Sequence, residues 1–313
     1  MDNDFKIFTG SSHPELGHAI ADTLGRQCGE MVLSKFSCNE YYARINETIR
    51  GKDVYLIQTA GINVNDDFME LFIIMDSLRR SSARTINVVM PHFGYARQDK
   101  KSEPREPISA RLMADLLSTV GLDRLVTVDL HADQIEGFFN KPVDHLTAMP
   151  LFIDYFKAKQ IKDLVVVAPD TGRAKFSKKM SDKLGAELAI MHKTRPSHNK
   201  AEIVNIVGDV KDKTVLLVDD MVDTGGSIIA CLEALKTFGC NPDIYLAATH
   251  AVFSGPAVDR LSTAGFKEVV VTDSFPLPEE KRFPELKILP IAPLVGEAIR
   301  RNLEGLSISS LVQ

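Results

Sequence analysis

The segment 215–227 constrains the fold more strongly than any other part of the sequence. It reads V-L-L-V-D-D-M-V-D-T-G-G-S, and its first four residues predict a buried strand of a parallel sheet. Residues 228–238 then have the apolar spacing of a helix. A strand, a polar loop and a helix start in this order predict an α/β sheet that binds a ligand at the carboxyl edge of its strands.

The polar loop contains groups suited to the two ends of one ligand. Glycines let the backbone approach an anion, N–H groups at a helix start favour negative charge, and hydroxyls add donors. Carboxylates would repel that anion, but they accept hydrogen bonds from sugar hydroxyls or hold water on a divalent cation. A capping turn would need only one such residue, so we favour a sugar phosphate. The anion-binding candidates are Thr224, Gly225, Gly226 and Ser227, and the carboxylates are Asp219, Asp220 and Asp223.

Length and charge narrow the class of protein. A chain of 313 residues is long enough for two domains, each with its own core. The net charge of −5 gives no footprint for nucleic acid. No apolar run approaches the roughly 20 residues that span a bilayer, and the N-terminus lacks a signal pattern. The four cysteines lack the paired spacing of a zinc site. We therefore expect a cytoplasmic protein that binds neither nucleic acid nor membrane.

The remaining pattern predicts alternating strands and helices. Ser12 and Glu15 have capping-box spacing, which predicts Ser12 as the N-cap of a first helix. The alternation of residues 44–49 predicts an edge strand. Segments 54–78 and 215–235 share one outline, and only the second has the acids and glycines, so we infer an internal duplication. Other strands are predicted at 5–9, 31–36, 54–58, 85–90, 125–130, 164–167, 244–249 and 269–272, and helices at 67–80, 171–183 and 290–302.

A second polar segment follows the strand predicted at 85–90. It reads P-H-F-G-Y-A-R-Q-D-K-K over residues 91–101. Aromatic faces stack on bases and cations meet phosphates, although most basic runs are only solvated loops. Its Phe-Gly-Tyr-Ala-Arg-Gln-Asp order closely resembles the nucleotide loop of ribose-phosphate pyrophosphokinases, also called phosphoribosyl-pyrophosphate synthetases. Segment 215–227 likewise resembles the phosphoribosyl-pyrophosphate loop of the type I phosphoribosyltransferase fold.

The resemblance covers essentially the full length and implies a set of site residues. It implies that His131, in D-L-H-A, and Asp170 are associated with Mg²⁺. Lys193 and Arg195 match catalytic cations on a mobile loop that closes over the nucleotide, and Asp223 lies near the anomeric oxygen as a general base. The implied ATP-binding residues are Phe36, Ser37, Glu40, Arg97, Gln98, Asp99, Lys100 and His131. A regulatory site for phosphate or ADP is implied at Arg50, Arg105, Ser307 and Ser309.

The same resemblance implies the fold and the reaction. We expect two duplicated phosphoribosyltransferase-like domains, each a mostly parallel sheet flanked by helices. Their expected bounds are 1–147 and 148–290, with 291–313 packing back on the first domain. The implied reaction converts ATP and ribose 5-phosphate to phosphoribosyl pyrophosphate and AMP with Mg²⁺, for nucleotide biosynthesis. Family members assemble into hexamers with ATP contacts that cross a subunit boundary.

Three departures from the family pattern bear on the site. Residues 36–40 read F-S-C-N-E where the family has Phe-Ser-Asp-Gly-Glu, which removes a carboxylate near the expected adenine pocket. Arg173 stands where many members have a glycine pair nearby, and Ser197 replaces an arginine of the loop. Two other functions stay open: a phosphoribosyltransferase that joins the sugar pyrophosphate to a base, and a regulatory homologue without activity.

Overall fold

The computed structural model describes residues 4–197 and 200–311, without the side chains of residues 193–204. The chain divides into two compact units. The N-terminal unit contains Met1–Thr147, Ser274–Pro276 and Pro290–Gln313, and the C-terminal unit contains Ala148–Asp273 and Leu277–Leu289. No helix in the described part of the chain is long and apolar enough to cross a membrane.

The N-terminal unit is built on a five-stranded parallel sheet. The strands of this sheet are β1 (Phe5–Thr9), β4 (Asp53–Ile57), β5 (Thr85–Val89), β6 (Arg124–Val128) and β7 (Val143–Leu146). Between β1 and β4 the chain forms a separate ribbon of β2 (Met31–Lys35) and β3 (Tyr41–Ile45). The sheet has the order β1-β4-β5-β6-β7, while β2 and β3 pair with each other in an antiparallel ribbon. The helices of this unit are α1 (Pro14–Thr23), α2 (Val64–Arg80), α3 (Ser109–Val120) and, from the end of the chain, Ala292–Glu304.

The C-terminal unit is built on a seven-stranded sheet. Its helices are α4 (Met149–Ala158), α5 (Ala174–Leu184), α6 (Gly226–Thr237) and α7 (Ala257–Thr263), so the terminal helix Ala292–Glu304 is α8. Its strands are β8 (Leu164–Ala168), β9 (Glu187–Ser197), β10 (Lys200–Val207), β11 (Thr214–Val222), β12 (Ile244–Ala251), β13 (Glu268–Thr272) and β14 (Leu286–Leu289). The order is β10-β9-β8-β11-β12-β13-β14, and β10 alone runs antiparallel to its neighbour.

The two sheets have the same topology once their hairpins are set aside. In the N-terminal unit β1 is followed by the ribbon β2–β3 and then by β4 to β7, in the order β1-β4-β5-β6-β7. In the C-terminal unit β8 is followed by the hairpin β9–β10 and then by β11 to β14, in the order β8-β11-β12-β13-β14. This common order supports the duplication and confirms the predicted fold class of two α/β domains with mostly parallel sheets.

Burial of both sheet faces explains why the central strands read as continuous apolar runs. The residues of β11 from Val215 to Val218 are at most 1% exposed, and Val165, Val166 and Val167 of β8 are fully buried. When helices cover both faces of a sheet, the apolar side chains of its strands are removed from water, and this burial stabilises the sheet. The apolar run 215–218, from which a parallel strand was predicted, therefore lies in the hydrophobic core of the C-terminal unit.

The C-terminal helix α8 packs within the N-terminal unit. A Cβ atom at Gly296 would lie 2.0 Å from Thr23 Oγ1 on α1, so the glycine permits close approach of the two helices. Asn302 Nδ2 donates to Asp144 Oδ2 at 2.6 Å. The backbone N–H of Thr147 donates to the carbonyl oxygen of Leu311 at 3.0 Å. The last turns of the chain thus form part of the first unit.

Three sequence predictions about local structure are wrong. Ser12 does not cap α1, because the helix begins at Pro14 and the Ser12 hydroxyl donates instead to Gln58 Oε1 at 2.8 Å. The edge strand predicted at 44–49 is β3, which ends at Ile45. Segment 191–202 was predicted to be a loop, but its described residues 191–197 and 200–202 belong to the antiparallel strands β9 and β10. Tertiary hydrogen bonds override local propensity at each place.

Candidate active site

The candidate sugar-phosphate loop of the C-terminal unit lies between β11 and α6. The sequence placed Asp219 and Asp220 after the strand, but β11 continues through both and ends at Val222. Its pairing with β12 explains the extension, since Asp219 lies opposite Ala248 and Val222 opposite Ala251 in the parallel register. The rigid ladder therefore fixes the backbone that carries these two acids.

The loop turns sharply into α6 at a glycine. Gly225 is the N-cap residue, with φ of 73°, a left-handed conformation that side chains other than glycine rarely adopt. Thr224, Gly226 and Ser227 are exposed around this turn. The carbonyl oxygen of Thr224 accepts from Arg260 Nη1 at 2.8 Å, which holds the loop against α7. The first N–H groups of the helix are thus presented to solvent, where an anion can bind them.

The backbone also fixes the third acid of the loop. The carbonyl oxygen of Asp223 accepts from the backbone N–H of Ser254 at 3.0 Å, and that of Val222 accepts from Phe253 at 3.0 Å. Asp223 is half-buried beside the exposed start of α6. All seven residues predicted for ribose 5-phosphate therefore lie together at the carboxyl end of one strand.

A guanidinium joins the two acids of β11. Arg173 Nη2 lies 2.5 Å from Asp220 Oδ2, and Arg173 Nε lies 3.5 Å from Asp219 Oδ1. Burial raises the pKa of the Asp219 carboxyl above its ordinary range, and the adjacent Asp220 carboxylate raises it further. The Arg173 guanidinium opposes this effect because it stabilises the ionised form. The site thus carries a compact, partly compensated negative charge.

Asp170, predicted to be associated with the metal, belongs to the same unit. It follows β8 and its Oδ1 accepts from the backbone N–H of Arg173 at 3.2 Å, as an N-cap does. Among the residues that the structure describes, no group of three or more His, Cys, Asp or Glu side chains has metal-binding geometry. A metal at this site would therefore depend on ligands from substrate phosphates and water, as Mg²⁺ usually does.

The predicted catalytic cations lie on the β9–β10 hairpin. The backbone of Lys193 pairs with Ile203 in the antiparallel register. The side chains of Lys193 and Arg195 lie outside the described part of the structure. The hairpin follows β8 directly in the sheet, since β9 pairs with β8 in parallel, so both cations are carried by the same sheet as the acids.

The adenine-binding candidates lie at the tip of the β2–β3 ribbon in the N-terminal unit. Phe36 is 54% exposed, and its ring lies 5.7 Å from that of Tyr42 in an edge-to-face contact. The N–H of Phe36 donates to the carbonyl oxygen of Glu40 at 2.9 Å, which closes the turn. Ser37 and Glu40 are exposed in that turn. An exposed aromatic ring on a ribbon tip is suited to stacking on a base.

The candidate nucleotide-binding segment 97–100 of the N-terminal unit has both exposed and buried residues. Arg97, Gln98 and Lys100 are exposed, so they are accessible to a phosphorylated ligand. Asp99 is 9% exposed and its Oδ2 accepts from Gln134 Nε2 at 2.5 Å. That contact joins the segment to the turn after β6 and indicates a positioning contact for the Asp99 carboxylate.

His131 lies on an exposed turn three residues after β6, whereas the sequence had predicted a strand reaching Leu130. The side chain of His145 contacts the backbone of this turn. The backbone N–H of Leu130 donates to His145 Nε2 at 2.8 Å, and His145 Nδ1 lies 2.7 Å from Glu136 Oε1. Because Nε2 accepts, the ring proton is on Nδ1 and donates to Glu136. The His145 ring therefore fixes the backbone next to His131.

The counterpart of the sugar-phosphate loop in the N-terminal unit is filled by polar side chains. Gln58 follows β4, and its Nε2 donates to Glu70 Oε1 at 3.0 Å. Glu70 Oε2 in turn accepts from the hydroxyl of Ser11 at 2.6 Å. Asp67 Oδ2 accepts from the backbone N–H of Gly61 at 2.7 Å. A cavity of about 430 Å³ with Ser11, Ser12, Asp67 and Glu70 in its lining lies beside this network. The sequence analysis missed these residues, although Asp67 and Glu70 lie on the buried face of α2 among apolar side chains.

Asp67 should make the stability of the protein depend on pH. Burial raises the pKa of its carboxyl to about 6, from an ordinary value of 3.8. The folded state therefore binds more protons than the unfolded state between these values, and stability is lost as pH rises through them. This rise in the pKa of Asp67 corresponds to a loss of at most about 3 kcal/mol in the free energy of unfolding.

An Asp67→Asn variant stays neutral, so its Tm relative to the parent should increase from about pH 4 to pH 7.5. Thermal unfolding followed by circular dichroism measures this difference. Asp66→Asn, at an exposed neighbour whose carboxylate pairs with Lys35, is the control for the loss of one charge. A Tm difference that is the same at every pH would contradict the assignment.

The candidate regulatory residues all belong to the N-terminal unit. Arg50 and Arg105 are exposed, and Arg105 has φ of 71°. The hydroxyls of Ser307 and Ser309 lie 2.8 Å apart. Arg301 Nη1 donates to the carbonyl oxygen of Ser307 at 2.9 Å, so α8 orders the tail that presents these hydroxyls. Both types of side chain are suited to a phosphate.

Known proteins match this chain over nearly its full length. Residues 5–121 match the N-terminal domain of ribose phosphate pyrophosphokinase, and residues 195–313 match the phosphoribosyl synthetase-associated domain. The chain is 47% identical to ribose-phosphate pyrophosphokinase of Bacillus caldolyticus over 99% of this chain and 98% of the relative. Its identity to the Bacillus subtilis protein of that name is 47%, again over 99% and 98%.

A solved structure agrees with these sequence matches. The phosphoribosylpyrophosphate synthetase from Mycobacterium smegmatis superposes with a TM-score of 0.91 at 44% identity, over 96% of this chain and 99% of that one. Agreement in both sequence and backbone over nearly the full length confirms the resemblance. This chain belongs to the ribose-phosphate pyrophosphokinase family.

Proposed function

We infer that this enzyme transfers the pyrophosphoryl group of ATP to the anomeric hydroxyl of ribose 5-phosphate. The products are 5-phosphoribosyl 1-pyrophosphate and AMP, which serve nucleotide biosynthesis. One observation carries this conclusion: a glycine-led helix start adjoins paired carboxylates at the end of β11, in a chain that matches ribose-phosphate pyrophosphokinases over 99% of its length.

The sugar is assigned to the C-terminal unit. The 5-phosphate binds the N–H and hydroxyl groups of the turn from Thr224 to Ser227, where a helix start favours an anion. The 2- and 3-hydroxyls donate to Asp219 and Asp220, and Asp223 accepts the proton of the anomeric hydroxyl. The position of these groups at the carboxyl end of β11 supports the proposed roles.

The transfer step moves one pyrophosphoryl group. The anomeric oxygen attacks the β-phosphorus of ATP in line, the bond from the β-phosphorus to the oxygen that it shares with the α-phosphorus breaks, and AMP leaves with that oxygen. We assign charge stabilisation to Lys193 and Arg195, because cations placed on phosphoryl oxygens lower the barrier. Nucleotide binding is assigned to Phe36, Ser37, Glu40, Arg97, Gln98, Asp99, Lys100 and His131.

We propose Mg²⁺ as the metal of this enzyme. The carboxylate of Asp170 is a ligand type that Mg²⁺ prefers, and His131 would act through water because imidazole suits softer metals. Bound Mg²⁺ neutralises phosphoryl charge and orients the reacting groups. The donor set fits this ion, because Mg²⁺ completes its shell with substrate phosphates and water.

Several further assignments are proposals that rest on the family. We propose a homohexamer in the cytoplasm, with phosphate or ADP bound at Arg50, Arg105, Ser307 and Ser309. We also propose residues 1–147 and 148–290 as the two phosphoribosyltransferase-like domains, with 291–313 completing the first. The position of α8 within the N-terminal unit supports that last assignment.

A coupled assay for AMP tests the function. AMP should be released from ATP only when ribose 5-phosphate and Mg²⁺ are both present. A phosphoribosyltransferase would instead consume phosphoribosyl pyrophosphate and release pyrophosphate when a nucleobase is added. A regulatory homologue would release no AMP under any of these conditions, and either result would contradict the proposed reaction.

A further inference from the structure

Arg173 connects the loop that follows β8 with strand β11 at the carboxyl edge of the seven-stranded sheet. Arg173 lies between β8 and α5, and its guanidinium reaches across to β11. Nη2 is 2.5 Å from Asp220 Oδ2 and Nε is 3.5 Å from Asp219 Oδ1. Its backbone N–H donates to Asp170 Oδ1 at 3.2 Å. One residue therefore contacts the β8 loop and both carboxylates of the sugar-binding strand.

The ion pair between Arg173 and Asp220 lies where little water reaches it. The side chain of Asp220 is 4% exposed, and that of Arg173 is 14% exposed. Two neighbouring carboxylates repel each other strongly when water is largely excluded, so each needs a cation or a donor to stay in place. The short contact to Asp220 fixes the direction in which that carboxylate faces, and the same planar guanidinium attracts the Asp219 carboxylate across 3.5 Å.

We propose that Arg173 is a positioning residue for the sugar. It orients the Asp219 and Asp220 carboxylates so that their remaining lone pairs accept the hydroxyls of ribose 5-phosphate. This inference rests on the proposed function, because it assumes that this sugar binds at the end of β11. The guanidinium acts through the two carboxylates and is assigned no contact with the reacting phosphates.

The two contacts of Arg173 require a guanidinium rather than an ammonium group. Its Nε and Nη2 atoms lie on one edge of a rigid plane, and each faces a different carboxylate. A lysine ammonium at the same position would be a single point charge on a flexible stem, so it would orient one carboxylate well and the other poorly. Lysine should therefore recover only part of the affinity for the sugar.

The test compares Arg173→Met, Arg173→Lys and the parent in the full-length enzyme. Steady-state kinetics at saturating ATP and Mg²⁺ give kcat and KM, and isothermal titration calorimetry gives the Kd of ribose 5-phosphate. We expect Arg173→Met to raise both KM and Kd for ribose 5-phosphate about tenfold, with kcat within about threefold of the parent. Arg173→Lys should raise them about threefold.

Arg282→Met is the matched control. Arg282 lies in the same unit and pairs with Glu279 at 3.0 Å on the surface, where both side chains are exposed. This variant loses the same charge and ion-pair type without touching the acids of β11, so its KM and Kd for ribose 5-phosphate should equal those of the parent.

Two results would overturn the inference. The first is a parental KM and Kd for ribose 5-phosphate in Arg173→Met. The second is a large fall in kcat with KM unchanged, which would place the guanidinium on the transferred group. If Arg173→Met does not fold, Arg173→Lys decides the matter, since a parental KM and Kd there would also overturn it. A parent that binds the sugar without releasing AMP would contradict the proposed function instead, because the calorimetry needs no turnover.

Discussion

A Lys193→Ala variant should lose about 10²–10³-fold in kcat while keeping its affinity for ribose 5-phosphate. The lysine is assigned to the transferred phosphoryl oxygens, whose charge changes in the transition state, and it makes no contact with the sugar in the proposed arrangement. Removing an interaction made in the transition state lowers kcat and kcat/KM together and leaves ground-state binding of the sugar unchanged. The AMP assay measures kcat, and calorimetry measures sugar binding.

The matched control for this variant is Lys211→Ala. Lys211 is an exposed residue of the turn that follows β10, so the substitution removes the same charge from the same unit. Its kcat should equal that of the parent. Parental turnover in Lys193→Ala would show that the β9–β10 hairpin does not supply the catalytic cation.

Gly225→Ala should raise the KM for ribose 5-phosphate about 30-fold, equivalent to about 2 kcal/mol. Gly225 has φ of 73°, and a Cβ atom there would meet no heavy atom closer than 3.8 Å. The substitution therefore strains the backbone without a clash, at a cost of about 1–2 kcal/mol. Relief of that strain turns the peptide groups that start α6, which moves the N–H donors away from the 5-phosphate. Steady-state kinetics with varied ribose 5-phosphate measures the effect.

Gly239→Ala separates strain from function. Gly239 lies just past the other end of α6, with φ of 77° and its nearest possible contact 3.9 Å from an added Cβ atom. The two substitutions should lower Tm by similar amounts, because they impose the same conformation on an alanine. Gly239→Ala should nevertheless keep the parental KM. An equal rise of KM in both variants would mean that general destabilisation, rather than the phosphate site, is responsible.

The sequence predicted the strand, the loop and the helix start of segment 215–227 because the signal there is local. A strand, its acids, a glycine turn and a helix start follow one another within residues 215–227, so their order along the chain also fixes their order in space. The end of β11 was misplaced because pairing with β12 depends on residues about 30 positions later. The pairing of β9 with β10 was missed for a similar reason, since breakers and polar side chains in 191–202 favour a loop locally.

The contacts of Arg173 lay beyond what the sequence could show. Its presence was visible as a departure from the family pattern, but its partners are 46 and 47 positions later, on a strand that becomes a neighbour only through the parallel pairing of β8 with β11. The network of Gln58, Glu70 and Ser11 was hidden in the same way, because it joins loops after two different strands. Local patterns thus indicated the candidate ligand groups, and sheet topology determined which side chains contact them.

The position of α8 has a consequence for biosynthesis of the protein. The N-terminal unit includes Pro290–Gln313, and Thr147 donates to Leu311 near the very end of the chain. The ribosome therefore releases the final piece of the first unit only after translating the entire second one. The C-terminal unit, by contrast, has all its strands once Leu289 has emerged. The unit whose synthesis begins first is therefore completed only after the strands of the other unit have been made.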